Sequence, residues 1–146
     1  MAHFICNIVI IVNGFQHGKG PYHPRKITIS CPELGSKTTQ NFKIPPPSSW
    51  EEAKTYGCQT ACHGLNPGDD GAEPSYLTAM VGTFLMDARI RSKKPVRVWS
   101  KGSNVMEFLY QQLGEPLSNL EDRGTFVHKG LTHEEKVHHW EQHFSS

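Results

Sequence analysis

The apolar positions of the chain change period several times, and each change predicts an element. From His3 to Val12 the chain reads FICNIVIIV after the histidine, a nearly continuous β-branched run interrupted by Asn7. Such a run suits a central strand covered on both faces. Asn13-Gly14 marks a turn or bulge, and Gly18, Gly20, Pro21 and Pro24 continue an irregular segment. Arg25–Cys31 alternates as a strand, with Ile27 and Ile29 on one face. Pro32–Gln40 reads as a polar connection, and Asn41–Ile44 as a short third strand cut off by Pro45-Pro46-Pro47. Three strands joined in this way predict an antiparallel meander.

Helical spacing then takes over. Ser48 or Ser49 can cap a short helix, with Glu51 or Glu52 completing a capping box and Trp50 and Ala53 on its faces. Cys58–Gly71 is rich in Gly, Asp, Asn and Pro and reads as a surface loop. Pro74 opens the clearest helix, with Leu77, Met80, Val81, Phe84, Leu85 and Ala88 on one apolar face, ending in a basic run before Pro95. Val96, Val98 and Trp99 form a strand, Lys101-Gly102 a turn, and Ser103 a helix cap. Met106, Phe108, Leu109 and Leu113 mark the helix, which Gly114 and Pro116 stop. A strand around Leu117–Leu120 follows. Thr132 and Glu135 form another capping box, with Val137, Trp140 and Phe144 on the buried side of a last helix.

Lys94–Asp122 is therefore a βαβ unit, which implies a parallel strand pair with a right-handed crossover. Its ligand site should lie beyond the carboxyl ends of the strands, near Ser100-Lys101-Gly102 and Glu121-Asp122. The order β β β α α β α β α predicts one α/β domain over residues 1–146. Three antiparallel strands are followed by two parallel ones, with helices on both faces, which matches the ribonuclease H-like fold and its exonuclease branch.

Composition narrows the function classes. A net charge of +1 gives no global drive toward nucleic acid or an anionic membrane. Cys6 and Cys31 fall inside strands, where cysteine acts as a small buried hydrophobe. The apolar stretch Phe4–Val12 lacks a basic leader and a cleavage site and is too short to span a bilayer. The expectation is a soluble, reduced, intracellular protein, cytoplasmic or nuclear, without disulfides and without a membrane partner.

Four stretches point further: Val12-Asn13-Gly14-Phe15 followed by Pro24-Arg25-Lys26-Ile27; Ile44-Pro45-Pro46-Pro47 before a tryptophan-containing helix; Cys62-His63-Gly64-Leu65 with Pro74-Ser75-Tyr76 downstream; and Val98-Trp99-Ser100-Lys101-Gly102 before Phe108-Leu109. In this order and spacing, up to about Gly124, the chain resembles DEDDh 3′–5′ exonuclease domains. It is most similar to a degenerate set of them found in invertebrate genomes and associated with viruses or mobile elements. Active members hold two metal ions with four acids, beside a histidine. The resemblance places the first two acids, an Asp-x-Glu pair, at Ile11 and Asn13, the third at Val105, and the final histidine-aspartate pair at His133 and His138. All four acids are replaced, which implies that the inherited chemistry is lost.

A domain of this kind would act by binding RNA or single-stranded DNA, or a protein partner as an adaptor in RNA silencing, with no cofactor. The competing expectation is an active Mg²⁺- or Mn²⁺-dependent 3′–5′ exonuclease with relocated acids, drawn from Asp87, Glu107, Glu121, Asp122 and Glu134. Arg89, Arg91, Lys93, Lys94, Arg97 and Lys101 form a basic cluster expected near the site, with Trp99 or Tyr110 to stack on bases if exposed. Its plain alternative is a solvated helix end. Cys58, Cys62 and His63, with the C-terminal histidines, have the ligand types for zinc but a loose spacing, and zinc is not expected. His139 and His143 lie one helical turn apart and His138 nearby, against the alternative of a solvated histidine-rich face. No Ser-His-Asp or Cys-His triad can be assembled.

Overall fold

The computed structural model describes residues 4–124 and 126–145; His3, at the head of the first predicted strand, lies outside them. The elements are β1 (Cys6–Phe15), β2 (His23–Cys31), β3 (Ser36–Asn41), α1 (Trp50–His63), α2 (Tyr76–Ser92), β4 (Val96–Ser100), α3 (Ser103–Leu113), β5 (Ser118–Asn119), a 3-10 turn at Leu120–Arg123, and α4 (His133–Ser145). The fold is α/β. One five-stranded open sheet runs β3-β2-β1-β4-β5. The β1/β2 and β2/β3 pairs are antiparallel, and β1/β4 and β4/β5 are parallel.

β1 is apolar from Ile8 to Val12 because both its faces are covered there. Cys6, Ile8, Ile10 and Val12 join Ile27, Ile29 and Cys31 of β2 under Leu77, Val81 and Leu85 of α2 and Val105 and Leu109 of α3. The alternate residues Val9 and Ile11 join Trp99, Leu120, Val137 and Trp140 on the α4 side. Each fully buried isoleucine contributes about 1.5–3 kcal/mol. β2 presents Lys26, Thr28 and Ser30 to α4. Lys26 pairs with Glu134, Thr28 meets His133 at 2.8 Å, and Ser30 donates to Glu141 at 2.6 Å. α4 therefore lies with an apolar stripe over β1 and β4 and a polar one over β2.

Several predicted boundaries move. The third strand is Ser36–Asn41, not Asn41–Ile44. It is an edge strand without an apolar residue, so periodicity missed it, while the buried Phe42 and Ile44 lie past its end in a loop layer. Phe42 bridges to Ala72 there, and Ile44 N–H donates to Gly68 O. The predicted loop from Cys58 begins only at Gly64 (φ 76°), because α1 continues to His63. α1 buries only Tyr56, so it carries no apolar stripe to announce its length. The predicted cap Ser103 is the first residue of α3, and Gly102 (φ 97°) holds the cap position. β5 shrinks to two residues as Leu120 enters the 3-10 turn. The Thr132–Glu135 capping box closes in both directions, at 3.1 and 2.9 Å, while at α1 Ser49 Oγ accepts from Glu52 N–H at 3.0 Å and the Glu52 carboxylate turns back to Ser48 N–H at 3.3 Å. Among the described residues no helix is long and apolar enough to cross a membrane.

Candidate functional site

The parallel strand β4 ends at Ser100 beside Ile10, and β1 runs on past it to Phe15, so the last residues of β1 are left open on that side. A bulge between Asn13 and Gly14 breaks the β1/β2 ladder, so that Asn13 pairs with Lys26 but Gly14 with Pro24. A Cβ at Gly14 would stand 2.2 Å from His23 O, so the bulge admits only glycine. The strand ends frame a cleft of about 330 Å³. It is lined by Asn13, Gln16, Gln59, His63, Lys101, Gly102, Val105 and His128. A second cavity of about 480 Å³ adjoins it through Gln16, Tyr22 and Asn104, and continues past Lys19, Phe108 and Gln111.

The positions that the resemblance assigned to metal ligands separate into three groups. Asn13 and Val105 line the cleft. Asn13 also reaches His133, whose Nδ1–H donates to Asn13 Oδ1 at 2.9 Å while Nε2 meets Thr28 Oγ1 at 2.8 Å. Ile11 lies in the core under Val137 and Trp140, and His138 is exposed on the outer side of α4. Helical geometry explains the last placement: Val137, one turn after His133, takes the sheet-facing position, so His138 turns outward.

The histidines are held neutral. His133 is 2% exposed, and burial, then the charges of Lys26 and Lys136, pushes its pKa down to about 4. His128 accepts from Trp140 Nε1–H at 3.0 Å. Burial, helped by Lys101, Lys136 and His139, lowers it to about 4 as well. His63 donates from Nε2 to Gly14 O (3.0 Å) and accepts Leu65 N–H at Nδ1 (3.1 Å). Burial lowers its pKa, and the Gly14 carbonyl partly opposes that.

The other predicted constellations do not assemble at the cleft. Both nitrogens of His63 are occupied, and Cys58 and Cys62 are exposed. Among the described residues no three His, Cys, Asp or Glu side chains are placed to share a metal ion. His139 stacks flat on Phe126 at 3.4 Å, and His143 accepts from Arg123 Nε–H at 3.2 Å.

The basic cluster is split. Arg89 pairs with Glu115, Arg91 with Asp87, and Lys94 with Glu33 at 2.7 Å, all before the amino end of β4. Lys93 ends α2 in a left-handed conformation. Lys101 lies past the other end of β4, at least about 13 Å away by strand rise. Trp99 is 6% exposed, donates to Asn7 Oδ1, and is covered by Phe144 and the guanidinium groups of Arg97 and Arg123. It is not available for stacking, whereas Tyr110 is exposed. Glu121 and Asp122 are exposed in the 3-10 turn, Asp87 and Glu134 are ion-paired, and Glu107 lies on the second cavity. None of these acids lines the central cleft.

Sequence reasoning missed Gln16, Gln59 and His128, which line the cleft, and Lys136, which lies behind it with its charge acting on His128 and His133. Lys136 falls between His133 and Trp140 at spacings of three and four, the inward face of α4, and this spacing was the available signal. The glutamines carried none. Comparison with protein-family models, curated proteins and solved structures finds no match.

Proposed function

We propose that this chain is a ribonuclease H-like domain of DEDDh exonuclease type in which metal-dependent catalysis has been lost and the cleft binds a single strand of RNA or DNA. An antiparallel meander followed by two parallel strands supports the fold assignment. One observation carries the function: the cleft at the ends of β1 and β4 is lined by amides, histidines and a lysine, with no carboxylate among the described residues. Magnesium and manganese require hard anionic oxygen ligands, and this donor set does not fit them.

The same lining suits a strand. Lys101 and Lys19 offer charge to phosphates, and Gln16, Gln59, Asn104 and Gln111 offer donors and acceptors to sugars and bases. Tyr22 and Phe108, with ring centroids 5.4 Å apart, supply an aromatic wall. A role as an intracellular adaptor in RNA silencing belongs to the same reading and rests on the resemblance alone.

The test incubates purified protein with end-labelled single-stranded RNA and DNA, in Mn²⁺ or in chelator, on native and denaturing gels. Shifted but intact strands in both conditions are expected. Shortening only with metal, lost in a Glu121→Gln/Asp122→Asn double variant, would make the protein an exonuclease with relocated ligands. Neither effect would overturn strand binding and direct the search to protein partners.

A further inference from the structure

We propose that Lys136 and Lys101 form a phosphate-binding site at the edge of the cleft near Asn13, where Lys101 lines the wall and Lys136 approaches from α4 behind it. The identity of that phosphate as part of a strand rests on the function proposed above; the site itself rests on the side chains.

Lys136 is 7% exposed, and its side chain makes no hydrogen bond or ion pair with any other described residue. Its ammonium is not among the fully buried unpartnered groups, so the covered part is the aliphatic stem and the charged end reaches solvent. Its direction follows from its neighbours on α4. His133, three residues before, touches Asn13, and Trp140, four residues after, touches His128; both partners line the cleft. Lys136 lies between them on the same face. Its charge acts on His63 and His128; burial lowers its own pKa, Cys62 opposes that, and Lys101 adds to the lowering.

Lys101 spends one N–H on Phe126 O at 2.5 Å and keeps two of its three donors. The amino end of the eleven-residue α3 opens at Gly102 on the same cleft, adding backbone N–H groups without helical partners. The nearest histidines are neutral, and no carboxylate lines the cleft. Two cations, free N–H donors and no competing anion select a tetrahedral oxyanion over a cation.

The experiment uses the full chain, a ten-nucleotide oligouridylate and inorganic phosphate, with Lys136→Met, Lys101→Met and, as a control at the far end of β4, Lys93→Met. Fluorescence anisotropy should show Lys136→Met and Lys101→Met each binding the oligonucleotide about tenfold more weakly, with the log–log salt slope flattened by about 0.7 per lost phosphate contact. Lys93→Met should leave both unchanged. Lys136→Met should also leave the urea midpoint at or above that of wild type, since the methionine keeps the volume of the covered stem; weaker binding then cannot be blamed on unfolding. Wild-type binding of the strand with no loss in either cleft variant overturns the site and leaves the strand-binding reading intact. No strand binding, but a side-chain NMR shift of Lys136 with inorganic phosphate that Lys101→Met abolishes, upholds the site for a free phosphate and overturns the strand reading. Response to neither probe overturns both. A lowered urea midpoint in Lys136→Met assigns the lysine a structural role and overturns the site.

Discussion

Asn13 and His133, 120 residues apart in the chain, are joined by a 2.9 Å hydrogen bond that ties the end of β1 to the first turn of α4. The network behind it is a chain of single donors and acceptors. Thr39 O–H can donate to Thr28 Oγ1, Thr28 O–H to His133 Nε2, and His133 Nδ1–H to Asn13 Oδ1. Every member is satisfied when the imidazole is neutral.

That arrangement predicts acid sensitivity. His133 titrates at about 4 in the fold against an ordinary 6.5. Its folded pKa is depressed, so the unfolded state binds more protons between these values. The stability contributed by neutral burial is complete above pH 6.5 and is lost as pH falls toward 4. At about 1.4 kcal/mol per pH unit the loss reaches up to about 3 kcal/mol. Urea midpoints at pH 7 and pH 4.5 should differ more in wild type than in His133→Leu. Equal differences would mean that His133 does not carry the effect.

Gly14 predicts a structural lesion at the same place. A methyl group there meets His23 O at 2.2 Å and Pro24 Cα and Tyr22 Oη at 2.9 Å, and two of these are backbone contacts. Gly14→Ala should therefore open the bulge, weaken the Gly14 O bond to His63, and cost about 2–3 kcal/mol by overpacking. Chemical denaturation checks the cost. The Asn13 amide resonances should shift in the NMR spectrum. A variant as stable as wild type would mean that the backbone yields freely there.

The strand and helix content was legible wherever one face is apolar. β1, α2, β4 and α4 announce themselves by Ile8–Val12, Leu77–Ala88, Val98–Trp99 and Val137–Trp140, because burial imposes the period. β3 and the second half of α1 stayed hidden, since Ser36–Asn41 and Cys58–His63 are held by backbone pairing and by loop contacts that leave no apolar signature. Of the positions singled out in the sequence, Asn13 and Val105 from the resemblance and Lys101 from the end of β4 line the cleft, and His133 stands behind Asn13. The site was illegible at Gln16, Gln59 and His128, which reach the cleft from irregular segments or a polar helix face whose course no local pattern encodes. The basic run misled because charge alone does not tell which end of β4 it will occupy, nor that Glu33, Asp87 and Glu115 will meet it.

The four cysteines should divide into two pairs by reactivity. Cys6 and Cys31 are fully buried, with sulfurs 3.2 Å apart, and burial, then the Cys31 hydrogen bond, raises Cys6 to about 12. Cys58 and Cys62 are exposed one turn apart on α1. Since the thiolate is the reactive form, a disulfide reagent at pH 7.5 should label two thiols quickly and the other two only at the rate of unfolding. Four fast thiols in the native protein would contradict the packing of β1 against β2.

Arg25 predicts how the loop layer beside the sheet is fixed. The residue is 8% exposed, and its guanidinium donates to Asn66 O at 2.9 Å, Phe42 O at 2.9 Å, Asp70 O at 2.8 Å and Asp70 Oδ1 at 2.5 Å. Three of these acceptors are backbone carbonyls that face away from the ladders, so the planar fork stands in for secondary structure between Gly64 and Ala72. Lysine carries one nitrogen and cannot span them. Arg25→Lys should cost about 2–3 kcal/mol through carbonyls left unpaired. The Asp70 carboxylate, which Arg25 holds below the usual carboxylate range, is exposed. Asp70→Asn should therefore cost less than Arg25→Lys, and should leave the loop protected against limited proteolysis where Arg25→Lys does not. Equal effects of the two variants would place the stabilisation in the ion pair; the predicted order places it in the carbonyl bonds, which also hold the chain that follows His63 against the sheet.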